Sequence, residues 1–213
     1  MRSEGRAEGL SFSPSPGRVT SRPWDDFILS TGWRSHMSEV EWIRQWYSYN
    51  AAARHGYFEA LSKLPPEELA RDRGASFPTL LDILGHSMGG TETWIVRMSA
   101  LTGEPFKNYD GPDPVTLDDL RKYERATEDQ VDRFFARLSD KDLDRTFLVP
   151  KLPPWWDEDF TAGVRGTLLH VVEHELQHRG EMNALLWQID VEPPILDWGG
   201  FEEMHHRKST SKP

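Results

Sequence analysis

Residues 168–188 read LLHVVEHELQHRGEMNALLWQ. Apolar side chains at Leu168, Leu169, Val171, Val172, Leu176, Leu185 and Leu186 recur at helical spacing. With Ile189 beyond them, they predict one long helix from about Thr161 to Ile189. Within it His170, His174 and His178 stand four residues apart and share a face. An i,i+4 pair can bring two imidazoles onto one metal ion, at roughly 2.0–2.1 Å per bond. All three cannot bind the same ion, because His170 and His178 lie about 12 Å apart along the helix axis. Either adjacent pair would need a further ligand from another helix.

Three more helical patterns precede this one. Val40, Ile43, Trp46, Tyr47, Tyr57, Phe58 and Leu61 give a helix over Glu39–Leu64, stopped by Pro65-Pro66. Pro78 suits the first turn of a second helix, which carries Leu80, Leu81, Ile83, Leu84, Trp94, Ile95 and Met98 and closes at Thr102-Gly103. Gly89-Gly90 should weaken or bend that helix unless close packing needs the small residues. Thr116, with Asp119 three residues on, caps a third helix through Leu138. A strand-like patch at Thr146–Val149 and the Pro-rich aromatic segment 150–159 follow. The expected fold is therefore all-α, a four-helix bundle with a small irregular, strand-like insertion before the last helix. Residues 1–36, rich in Ser, Pro, Gly and Arg over their first 22 positions, are expected to be a disordered extension. Residues 37–200 are expected to be the bundle, and 201–213 a polar tail.

Composition removes several function classes. The 213 residues hold 35 Asp+Glu against 25 Lys+Arg, a formal charge of −10, which argues against tracking nucleic-acid phosphates. No cysteine is present, excluding disulfides, Cys-ligated zinc, iron–sulfur clusters and a thiol nucleophile of the chain's own. No apolar run reaches the roughly 18–20 residues of a membrane span. The absence of a signal-like apolar region makes a cytoplasmic location the expectation. Nine Trp, ten Phe and five Tyr can build a core in spite of a polar average.

His174-Glu175-Leu176-Gln177-His178 also spells HExxH, the zinc-protease pattern in which the Glu is the general base. The longer metzincin signature fails, since Glu181 and Ala184 occupy the places of its Gly and third His. Taken with LLDILGHSMGGTETWIVRM at 80–98, the segment instead resembles the DinB family of metal-binding four-helix bundles. That family's last helix carries His-Glu-x-x-His-Arg-Gly-Gln, matched here by His174, Glu175, His178, Arg179 and Gly180, with Glu181 in place of the usual Gln. LPPEELARDRGASFPTLLDIL and VEPPILDW look like the family's first connection and its ending. The resemblance spans about residues 38–200.

The resemblance implies that His86, His174 and His178 hold a divalent ion, zinc or nickel, and that His170 lies one turn away. Three neutral nitrogens would leave positions open for water or substrate, the mark of a catalytic rather than a closed site. Glu173, Glu92 and Asp82 are candidate partners for the ligands. Glu175 is the candidate catalytic base, and Arg179 the candidate cofactor-binding group for an anion. Trp155-Trp156 could roof an apolar cleft. Relatives of this type imply transfer of a low-molecular-weight thiol, such as bacillithiol or mycothiol, to an electrophilic small molecule. Isomerisation of maleylpyruvate with a thiol cofactor is another branch. The alternatives are a stress-associated metal-binding protein without activity and a hydrolase using a metal-activated water. A small-molecule partner is expected, with neither nucleic acid nor membrane, and the resemblance implies a homodimer.

Overall fold

The structure, a computed structural model, describes residues 37–111, 113–194 and 197–201. The expected extension at 1–36, and the expected tail from residue 202 onward, lie outside the described residues. Helix α1 spans Glu39–Leu61, the short α2 Pro66–Leu69, α3 Leu80–Ser99 and α4 Leu117–Phe135. Strands β1 (Thr146–Val149) and β2 (Phe160–Gly163) pair antiparallel, with Thr146 opposite Gly163. Helix α5 then runs Val164–Trp187. The four long helices pack as a ring in which α1 and α3 each touch both α4 and α5. This is the expected four-helix bundle, with a two-stranded hairpin before the last helix.

Local chemistry explains the boundaries. Ser38 and Glu41 form a capping box on α1, Thr79 and Asp82 one on α3, and the Thr116 hydroxyl accepts from Asp119 N on α4. The α3 box moves the helix start to Leu80, so Pro78 precedes the cap instead of lying in the first turn. Helix α5 also starts later than its periodicity suggests. Residues 160–163 are drawn into the ladder with β1, and Val164 N donates to Arg145 O at 3.0 Å. Gly103, at φ 79°, ends the 3-10 turn Ala100–Thr102 in the left-handed conformation that glycine permits.

Each long helix buries a triplet of residues seven apart: Tyr47–Arg54–Leu61, Leu84–Thr91–Met98, Leu120–Thr127–Phe134 and Leu168–Glu175–Met182. The outer members are apolar or aromatic and the middle one is polar. The core is accordingly two apolar clusters, one around Ile43, Ile95, Phe134 and Leu168, the other around Leu61, Ile83, Leu120 and Leu186. Between them lies a buried polar layer. In it Arg54 Nε donates to Glu124 Oε1 at 2.7 Å, Arg54 Nη1 donates to both Glu175 oxygens at 2.6 and 2.7 Å, and the Thr91 hydroxyl donates to Glu175 at 2.6 Å. Leu169 and Leu176, expected in the α5 stripe, are 38% and 40% exposed, because the buried face of α5 passes through Glu175 instead.

The C-terminal segment closes on α1. A side chain at Gly56 would come 2.8 Å from Pro194 Cβ, so glycine is what lets the VEPP ending approach. Trp198 stacks on Trp46 at 3.8 Å, and Phe201, placed by sequence in the tail, is buried against Tyr49.

Candidate metal centre

Helix α3 contributes His86 and α5 contributes His174 and His178, at the level of the buried polar layer. His86 Nε2 faces His174 Nε2 at 3.0 Å, and one ring nitrogen from each of the three lies within 4.8 Å of the others. The ring centroids are 4.6–4.9 Å apart. Two nitrogens sharing one ion at 2.0–2.1 Å and a tetrahedral angle stand about 3.3 Å apart, so the facing Nε2 atoms have the spacing of co-ligands. His170 stays outside the group, half exposed, its ring 6.0 Å from His174. The geometry therefore joins the 174/178 pair to His86.

The surroundings set these rings in place. Phe77 stacks on His86 at 3.9 Å and meets His178 edge-on at 5.7 Å. Gly90 lies beneath His174, where a Cβ would come 2.7 Å from its Cε1. Helix α3 runs unbroken through the Gly-Gly step, and this contact is why Gly90 is small: the residue serves packing. Glu181 Oε2 is 3.4 Å from His178 Nδ1, which leaves Nε2 of His178 as the ligand atom and supplies the carboxylate that often backs a metal-binding imidazole. The same carboxylate accepts from Ser76 N at 2.7 Å, and although burial raises its pKa, the bonds from Ser76 hold it below the usual range.

Burial, and then the facing rings of His174 and His178, push His86 down to about 4. Burial first, then His178 and His170, also lowers His174. His86 and His174 are thus favoured as neutral imidazoles with available lone pairs, the form a metal requires. His174 Nδ1 is buried without a hydrogen-bond partner among the described residues. A ring held at that cost, with its other nitrogen in the group, fits a divalent metal ion held by His86, His174 and His178.

The other sequence candidates lie elsewhere. Glu175 is 1% exposed and committed to Arg54 and Thr91, so the structure does not bring it to the histidines. The Arg179 guanidinium lies over the Tyr49 ring at 4.5 Å and donates to its hydroxyl at 2.9 Å. Glu92 accepts from Tyr123 OH at 2.8 Å, Asp82 serves the α3 cap, and Glu173 accepts from Gln177. Trp155 is 67% exposed, whereas Trp156 packs on Trp94. Phe77, Arg54 and Thr91 escaped the sequence reading. For the last two the available signal was a polar residue centred in a seven-residue apolar spacing.

A second group, His55, Glu124 and Glu128, brings α1 and α4 together, and its His55 and Glu128 border a cavity of about 420 Å³. There Arg54 already supplies the positive charge against Glu124.

The fold and site define a four-helix bundle with three imidazoles converging between two of its helices. The chain belongs to the DinB family, whose sequence model matches residues 36–210. Protein DinB of Bacillus subtilis (strain 168) is 28% identical over 163 residues, covering 72% of this chain and 89% of that protein. The crystal structure of a DinB-like protein from Bacillus cereus ATCC 10987 aligns with a TM-score of 0.54 at 19% identity, covering 73% of this chain and 95% of that one. That likeness supports the fold. Among the described residues no helix is long and apolar enough to cross a membrane.

Proposed function

We propose that the protein is a divalent-metal-dependent enzyme that transfers a low-molecular-weight thiol to an electrophilic small molecule. The observation that carries this reading is the open donor set. Three imidazoles converge, and among the described residues no carboxylate joins the group. Three protein ligands are the number of a reactive site rather than a closed structural one. When bound, a divalent ion there lowers the pKa of a thiol brought to it and so increases the thiolate available at neutral pH. The thiol must come from outside, since the chain has no cysteine. In the transfer, sulfur bonds to the electrophilic carbon, the leaving group departs with its electron pair, and the thiol proton passes to solvent.

The chain's own residues hold the site ready. Phe77 and Gly90 fix the ring planes of His86 and His174, and Glu181 orients His178. The hydrolytic alternative would need a base beside the ion, and Glu175 is engaged by Arg54 and Thr91. Elemental analysis of wild type and His174→Ala tests the first step, with about one zinc or nickel per chain expected in the former and none in the latter. Conjugation of bacillithiol, mycothiol or glutathione to a chlorobimane probe tests the second. Acceleration by the metal-loaded wild type alone supports transferase chemistry. Stoichiometric metal with no acceleration by any thiol would favour a metal-binding protein without this activity.

A further inference from the structure

Helices α3 and α5 run on side by side past the histidines. Gly90, Trp94 and Arg97 follow His86 at steps of four, four and three residues and so share one face of α3. On α5, His170 precedes His174 by one turn, and its ring meets Trp94 edge-on at 5.8 Å. Trp94 in turn stacks on Trp156, from the segment between the strands, at 6.2 Å. The Arg97 guanidinium sits over both indoles, 5.1 Å from the centre of Trp94 and 5.0 Å from that of Trp156. One line of rings therefore leads from the triad through His170 and Trp94 to Arg97. From Gly90 to Arg97 it covers about 10 Å along the helix.

Among the described residues the cation at the end of this line lacks a counter-charge. Arg54, Arg133, Arg145 and Arg165 are each paired with carboxylates, as an excess of 35 acidic over 25 basic residues would allow. Arg97 has no ion pair among the described residues, and its Nη1 is buried with no hydrogen-bond partner. Asp159 accepts from Lys151 N, and Glu173 lies 3.8 Å from His170. A guanidinium stays charged in proteins and presents a planar fork of donors, so an orphaned buried donor is a cost that an anion of matching shape removes. Burial alone lowers the pKa of Arg97, as expected for a charge without compensation. Gly166, one turn before His170 on its face of α5, has open space where a side chain would stand.

We propose that Arg97, framed by Trp94 and Trp156, is a carboxylate-binding subsite, which receives the acidic end of a small molecule whose other end reaches the histidines. The indole faces supply apolar walls, and the guanidinium supplies its charge and a charge-assisted hydrogen bond. The inference rests on the proposed small-molecule chemistry at the histidines. It is tested by binding rather than turnover, so that its failure and a failure of the metal reading give different results.

The probes are phenylacetate and its neutral counterpart phenylacetamide, titrated into the full chain with ¹⁵N-labelled tryptophan and followed by the indole N–H signals. Trp94→Phe and Trp156→Phe assign the two resonances. Phenylacetate is expected to shift both saturably, and phenylacetamide to bind about 10- to 100-fold more weakly, the ratio of a hydrogen bond to a charged group. Arg97→Gln is expected to abolish the preference for the acid, and Arg97→Lys to retain part of it. His174→Ala is expected to keep the full preference even without metal. Equal binding of acid and amide by the wild type, or no saturable binding of the acid, overturns the proposal without recourse to any variant. A preference that survives in folded Arg97→Gln overturns it as well, and reduces Arg97 to a cation–π staple for the 150–159 segment.

Discussion

Gly90 is the residue on which the geometry of the candidate centre turns. The sequence marks it as a weak point of a helix, and the structure makes it the floor under His174. In Gly90→Ala the new Cβ would stand 2.7 Å from His174 Cε1 and 2.9 Å from Nδ1, so the ring must rotate out of the group. Metal affinity should fall about 10- to 100-fold, as for other changes that misplace a ligand, while helix content holds. Chelator competition measures the affinity and circular dichroism the helix; unchanged affinity would remove Gly90 from the centre. Glu181→Ala should cost about tenfold by the same assay, because His178 Nδ1 loses its carboxylate.

At the scale of the element, α5 carries two jobs on adjacent faces. Its histidines face α3, while Glu175 projects into the polar layer and ties α5 to α1 and α3 through Arg54 and Thr91. Removing one partner from a buried pair leaves an uncompensated charge, so Glu175→Ala should lower unfolding free energy by about 3–5 kcal/mol. Leu176→Ala, at the next residue, should change it by about 0.5 kcal/mol or less, since that side chain is 40% exposed. Urea unfolding of the two variants decides the point, and a larger loss at Leu176 would contradict this packing of α5. Periodicity alone suggested the reverse, because it reads apolar residues as buried and cannot see a carboxylate whose partner lies on another helix. The caps, by contrast, were legible, since Thr116 and Asp119 interact within one turn.

For the whole molecule, protons and metal compete for the same nitrogens. His86 titrates near 6.5 when unfolded and is pushed down to about 4 in the fold. Between those values the unfolded chain binds more protons than the native one, so the metal-free protein should lose stability as pH falls from 6.5 toward 4 and should be level above 6.5. A bound ion adds stability in proportion to the logarithm of its concentration over its dissociation constant. The increment from added zinc should therefore be large at pH 7 and much smaller at pH 5. Denaturation midpoints with zinc and with chelator at both pH values test this. An equal increment at the two would show that the histidines do not hold the ion.

The sequence by itself determined what is local: four helices, their caps, the strand-like patch at Thr146–Val149, and a row of histidines on one face of the last helix. These follow from interactions within a few residues of chain. Even His86 entered only through a family resemblance, because nothing in the spacing of one helix states which neighbour it faces. The tertiary structure decided which two of the three α5 histidines join His86, where the buried stripe of α5 runs, and that Glu175 is committed to Arg54 and Thr91. Each of those depends on how α1, α3, α4 and α5 rotate against one another, and that rotation is set by the packing of all four around the Arg54–Glu175 layer.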